Sequence, residues 1–126
     1  MYNDIVDHVS DDFVENWTTQ TRKGLLELGV LNAIRERRRY GYEIVKLLKA
    51  VPGLVISEGT IYPILGRLER EGLTTASLEP SPEGPARKYY RLTQRGTAAL
   101  TVMNERWDAI GRGIQAIRSE DHDRDD

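Results

Sequence analysis

Apolar residues recur at helical spacing through the first third of the chain. Ile5, Val6, Val9, Phe13 and Trp17 fall three and four apart, which predicts an amphipathic helix over residues 4–20. Leu25, Leu26, Leu28, Leu31 and Ile34 cover more than one face of a second helix over residues 22–39, expected to be the central buried one. That helix is read to end in Arg35-Glu-Arg-Arg-Arg39, where cations meet the negative end of the helix dipole. Gly41 breaks the chain. A short third helix over residues 42–48 turns Ile44, Leu47 and Leu48 inward, and Pro52-Gly53 stops it.

A fourth helix is expected between Ser57, a natural N-cap, and Gly72. Ile61, Ile64, Leu65 and Leu68 form its inner stripe. The opposite face carries Gly59, Pro63, Gly66 and Arg70, flanked by Tyr62 and Arg67. Pro63 leaves two readings of the start. Capped at Ser57, the helix holds its proline beyond the first turn at a cost in stability; capped at Thr60, the proline falls within that turn. Residues 73–79 and 86–92 then alternate as two strands around Pro80-Ser-Pro-Glu-Gly-Pro85, a tip rich in turn residues and expected to protrude. Alternation sets Arg87, Tyr89 and Arg91 on one side of the second strand, and Lys88, Tyr90 and a core-facing Leu92 on the other.

Thr93 is expected to cap the last helix. Along it Leu100, Met103, Trp107, Ile110, Ile114 and Ile117 repeat three and four apart, an a/d seam of about two and a half heptads. So narrow a seam calls for a partner helix. We read it as a homodimer interface, with Phe13 and Trp17 of the first helix contributing. The tail from Ser119 has nothing to bury and reads as disordered.

The fold class that results is mainly α with a small β-hairpin wing. It is a winged helix-turn-helix over residues 22–93, preceded by a helical extension over 1–21, followed by a dimerisation helix over 94–118 and an acidic tail over 119–126. Helix, strand, turn, basic strand is the order that sets one helix and one hairpin on DNA.

Charge sharpens this picture. The chain of 126 residues has a formal net charge of -2, unevenly spread. Residues 22–95 hold fourteen Lys/Arg against eight Asp/Glu, a surplus of +6, while the two flanks hold four against twelve, a deficit of -8. Phosphate attraction is a local matter, so the basic middle counts for more than the total. There is no cysteine, and the two histidines, His8 and His122, stand near the ends and read as exposed and without a role. No pair of carboxylates is spaced for acid/base work or metal binding. An enzyme, a metal site and a cofactor are therefore not expected. No apolar run approaches the about 18 residues of a membrane span, and Met1-Tyr-Asn-Asp lacks the regions of a signal peptide, so a cytoplasmic location without membrane contact is the expectation.

Four stretches carry a resemblance: Gly41-Tyr-Glu-Ile44, Ser57-Glu-Gly-Thr-Ile-Tyr-Pro-Ile-Leu65, Arg67-Leu-Glu-Arg-Glu-Gly-Leu73 and Arg87-Lys-Tyr-Tyr-Arg-Leu-Thr93. Together, over residues 22–117, the chain resembles the PadR family of bacterial transcriptional regulators, in particular its small members with a single C-terminal helix. The resemblance implies a winged-helix dimer that represses a neighbouring operon and is released by a small molecule. It matches Tyr42, Thr60, Tyr62, Arg87 and Lys88 to positions that meet DNA, and Trp107 to a tryptophan that stacks planar compounds between subunits.

The expected DNA contacts are thus Tyr42, Ser57, Gly59, Thr60, Tyr62, Pro63, Arg67, Arg70, Arg87 and Lys88, with double-stranded DNA bearing an inverted repeat as partner. Arg87 and Lys88 also fit a plainly solvated strand edge kept basic against aggregation. Trp107 divides evenly between dimer core and a shelf for a planar aromatic or phenolic effector. On the effector reading Met103 and Ile110 are the walls and Asp108 attracts a cation. A second function class, a winged-helix module for protein contacts without DNA, would need large exposed apolar residues on the face of Gly59, Pro63, Gly66, Arg67 and Arg70.

Overall fold

The computed structural model describes the backbone of residues 2–54 and 56–124 and the side chains of residues 11–54 and 56–120. Its order is α1 (Tyr2–Ala33), β1 (Arg39–Tyr40), α2 (Gly41–Lys49), α3 (Glu58–Arg70), β2 (Thr74–Ser81), β3 (Gly84–Leu92) and α4 (Gln94–Arg124). The three strands form one antiparallel sheet in the order β1-β3-β2. Leu26, Val30, Leu31 and Ile34 of α1, Ile44, Val45 and Leu48 of α2, Ile61, Leu65 and Leu68 of α3, and Tyr90 of β3 make one buried core.

Several expectations need correction. The predicted helices over 4–20 and 22–39 are one helix. Nothing between them breaks it, and the Thr21 hydroxyl donates back to the Trp17 carbonyl at 2.8 Å. The expected boundary at residue 21 falls inside α1. The helix also stops at Ala33, short of Arg35-Glu-Arg-Arg-Arg39. Arg39 is drawn into the sheet opposite Tyr90, while its Nε donates to the Ala33 carbonyl at 2.7 Å. A cation still meets the carbonyl end of the helix, but from a strand. Ile5, Val6, Val9, His8 and His122 lie outside the residues whose side chains are described. At the other end α4 continues through Arg124 where a disordered tail was expected.

The start of α3 is settled in favour of Ser57, whose carbonyl accepts from both Thr60 N–H (3.1 Å) and Ile61 N–H (3.4 Å). Pro63 therefore lies inside the helix, beyond its first turn. Its ring deprives the Gly59 carbonyl of the usual N–H partner four residues on. Gly72, at φ 79°, closes α3. Its N–H reaches the Glu69 carbonyl and the Leu73 N–H the Leu68 carbonyl, both at 3.0 Å, the paired pattern of a Schellman end.

The hairpin is longer and its tip tighter than predicted. Ser81 pairs with Gly84, leaving Pro82-Glu83 between them. Pro80 and Pro85 sit within the strands, but at a register shift between Glu79 and Ser81, the kind of irregularity where a strand tolerates proline.

The wing is tied to α4 at one residue. The Thr93 hydroxyl donates to the Gly72 carbonyl at 2.7 Å and accepts from the Gly96 N–H at 3.0 Å, so α3, β3 and α4 meet there. A Cβ on Gly96 would run into the backbone carbonyl of Leu73, which cannot swing aside. Gly96→Ala is expected to cost about 2–3 kcal/mol. Chemical denaturation of the purified variant measures it, and an unchanged midpoint would contradict this packing.

Candidate nucleic-acid interface

The exposed side of α3 is shallow. Gly59 and Pro63 are exposed, Gly66 is half-buried, and Arg70 lies along the helix with its guanidinium close beside Gly66. Ser57 holds the N-cap position but caps no backbone N–H; its hydroxyl is hydrogen-bonded to that of Thr60 at 3.2 Å, and both residues are exposed.

Between this helix, the start of α2 and the wing runs a groove of about 480 Å³. Tyr42, Tyr62, Arg87 and Lys88 line it together with Tyr40 and Gly41. Gly41 makes this possible: it is buried as the first residue of α2, and a Cβ there would lie 2.8 Å from Tyr62 Cε1. Burial, followed by Glu58 and then Tyr90 and Tyr42, raises the Tyr62 phenol above its ordinary range. At neutral pH its hydroxyl is a donor, suited to a phosphate or a base edge.

The cations differ in freedom. Arg87 lies over the Tyr40 ring at 4.4 Å, and Arg38 over Tyr89 at 4.1 Å, with the two tyrosines edge to face at 5.5 Å. Arg38 also pairs with Glu79. These stacks stiffen the outer face of the sheet while leaving one face of the Arg87 guanidinium open. Lys88 lies on the other side and reaches Glu69 of α3 at 3.3 Å, a hydrogen bond that raises the ammonium pKa. Arg67 is turned away from the exposed face. It pairs with Glu27 of α1 at 3.1 Å, a contact that raises its pKa further. The wheel placed Arg67 on the flank correctly, but no periodicity reveals that α1 supplies a carboxylate there. Tyr40 lines the groove and was missed by the sequence reading, as was Lys46, a cation 5.6 Å from the ring centre of Tyr42. A two-residue strand is too short to show alternation, so β1 left no signal.

The long helices carry the second group. Leu100, assigned to the dimer seam, is 2% exposed and belongs to the chain's own core, because α4 crosses α1 at that point. There Asn32 and Asn104 exchange amide hydrogen bonds at 3.0 and 2.9 Å. Beyond the crossing the seam is open: Trp107, Ile110, Ile114 and Ile117 are all exposed, Ile117 at 66%. So are Phe13 at 72% and Trp17 at 62%, which excludes Trp17 from the core of the single chain. Met103, Trp107 and Ile110 line a largely apolar hollow of about 360 Å³ with Leu25, Leu28 and Arg106. Asp108 is not part of it. One residue beyond Trp107, it points to another face, beside Arg35, Thr101 and Asn104. The charged residue among those lining the hollow is Arg106.

Comparison with known proteins agrees with this architecture. Residues 30–102 match the transcriptional regulator PadR-like family. The crystal structure of a Streptococcus transcriptional regulator is 38% identical, with a TM-score of 0.71, and the match covers 79% of this chain and 97% of that one. A PadR-like transcriptional regulator from Bacillus cereus is 35% identical with a TM-score of 0.71, covering 78% and 95%. Bacillus subtilis PadR, solved in complex with operator DNA, is 29% identical with a TM-score of 0.55, covering 62% of this chain and 45% of that one. With its winged-helix sheet, its α3 and the family match over residues 30–102, the chain belongs to the PadR-like family of transcriptional regulators.

Proposed function

We propose that this chain is a DNA-binding transcriptional regulator that acts as a homodimeric repressor on an inverted-repeat operator and is released by a small molecule. The observation that carries the DNA part is the groove in which Tyr42, Tyr62, Arg87 and Lys88 converge beside the shallow face of Gly59 and Pro63. A helix is read in the major groove when its exposed side lets the backbone come close and its borders supply phosphate contacts. Bacillus subtilis PadR with its operator gives the same assignment by likeness. The rival reading, a protein-docking module, needed large exposed apolar residues on the outer face of α3; most of those in the described chain lie on α1 and α4, the others include Leu78 of the wing, and on α3 there is Tyr62 alone. No described helix is long and apolar enough to cross a membrane. Selection of bound fragments from genomic DNA, followed by footprinting, tests the proposal; two protected half-sites about one helical turn apart are expected. Binding without any sequence preference would sink it.

The release step rests on the hollow at Trp107. A planar ring can stack on the indole between apolar walls. With Arg106 at the edge, a neutral or anionic aromatic such as a phenolic acid suits it better than a cationic dye. In a Trp17→Phe background Trp107 is the sole indole reporter. Phenolic acids are expected to quench it, and planar cations to quench it less. Equal binding after Trp107→Ala would leave the tryptophan as dimer core alone.

A further inference from the structure

A second small groove lies on the opposite flank of α3 from the wing. It measures about 290 Å³ and is lined by Thr19, Arg22, Lys23 and Leu26 of α1 and by Ile56 and Thr60. The geometry around α3 fixes which side this is. Tyr62 and Glu69 face the wing, through the shared groove and the Glu69–Lys88 pair. Thr60 and Arg67 face α1, through the second groove and the Arg67–Glu27 pair. The recognition helix is therefore bracketed, by the hairpin on one side and by α1 on the other.

The cations on the α1 side differ in what occupies them. Glu27 and Glu71 both reach Arg67, so its charge is already answered. Arg22 and Lys23 form no ion pair among the described residues. Arg22 is partly buried, and its Nε is shut off from solvent with no hydrogen-bond partner. A long contact of 3.5 Å from Nη2 to the Gly53 carbonyl leaves it pointing along the connection that leads into α3. Nε is enclosed by the chain itself, so an acceptor arriving in the groove would meet the Nη groups, held among the described residues only by that long contact. Lys23 is exposed beside it, and the Thr60 hydroxyl borders the same groove.

We propose that Arg22 and Lys23, with Thr60, form a clamp for a DNA backbone phosphate, on the strand across the major groove from the one the wing engages. The inference rests on the DNA-binding reading above and adds a site to it. The major groove is about 12 Å wide and a helix with its side chains about 10–12 Å across, so a helix seated there has a phosphate wall on each flank. The wing offers Arg87 and Lys88 to one wall. The other wall faces Arg22 and Lys23. Two anchoring points, one per strand, would fix the register of α3 whatever bases it reads.

The test uses the full chain and an operator fragment recovered by selection. Affinity is measured across salt concentrations for the wild type, Arg22→Gln, Lys23→Gln and the double variant. Each single change is expected to reduce the slope of log affinity against log salt by about one per half-site, and to weaken operator and random DNA alike. Arg22→Lys, which keeps the charge, should restore most of the slope. Ethylation of individual phosphates localises the effect. Modified phosphates on the side away from the wing should block the wild type and cease to matter in the double variant, while those on the wing side keep their effect. Unchanged slopes and an unchanged ethylation pattern, in variants of a protein that still binds, overturn the clamp and leave the DNA reading standing. A wild type that binds no DNA ends both. Lys23 is exposed, so Lys23→Gln carries the test even if Arg22→Gln fails to fold.

Discussion

Ile114→Glu is expected to turn a dimer into a monomer and, by doing so, to weaken operator binding by about 10²–10⁴-fold. The residue is exposed in the single chain, as are Trp107, Ile110 and Ile117 along the same stripe of α4 and Phe13, Val14 and Trp17 along α1. Two helices of 31 and 32 residues thus carry apolar faces well beyond the point where they cover each other. Contiguous exposed apolar surface of this kind marks an interface, and a seam with period three and four fits a second helix of its own type. Across a two-fold axis the substitution acts twice. Each copy loses about 1.5–3 kcal/mol of apolar burial, and each buries a carboxylate without a partner. The core of the single chain should be untouched, since it is built from residues up to Leu100. Sedimentation of wild type and variant at micromolar concentration reads the assembly, and a titration with operator DNA reads the consequence. A variant that sediments as the wild type does would show that this stripe is not the interface.

How far the sequence revealed this molecule depends on the range of the interactions concerned. Helical periodicity is local, so α2, α3 and the apolar stripe of α4 were legible from the spacing of leucines and isoleucines, although Leu47, read as inward, is exposed and Val45 takes the buried place. The same local rule failed between residues 20 and 22, where two helices were read; Thr21 simply bonds back to Trp17 within one. It failed again for β1, because Arg39 and Tyr40 become a strand only through pairing with Tyr90 and Tyr89. Leu100 was read with the outer seam, since sequence does not say where α4 crosses α1. Among candidate site residues, those near in space through the hairpin and α2, such as Tyr42, Tyr62, Arg87 and Lys88, share one groove. Arg67 and Asp108 required knowledge of which element packs on which flank. Glu27 claims the first, and the second points away from the hollow at Trp107.

That distinction between packing and surface gives the sharpest test of the recognition face. Gly59→Glu is expected to raise the stability of the chain while removing its binding to DNA. Gly59 is the second residue of α3, exposed, and a Cβ there meets nothing closer than the Ser57 hydroxyl at 3.8 Å. Replacing a helical glycine relieves about 1 kcal/mol of conformational cost, and a carboxylate in the first turn gains about 0.3–1 kcal/mol from the helix dipole, less some repulsion from Glu58 next to it. The melting temperature should therefore hold or rise, and the proposed assembly through α1 and α4 should be unaffected, since Gly59 lies on neither stripe. Against DNA the same side chain has the opposite effect. It adds bulk where the backbone must come close and negative charge where phosphates and base acceptors stand, so affinity should fall by about 10²-fold or more, the equivalent of about 3 kcal/mol. Differential scanning calorimetry and a DNA titration on the same preparation decide the matter. If Gly59→Glu binds operator as tightly as the wild type, the exposed side of α3 is not the surface that meets DNA.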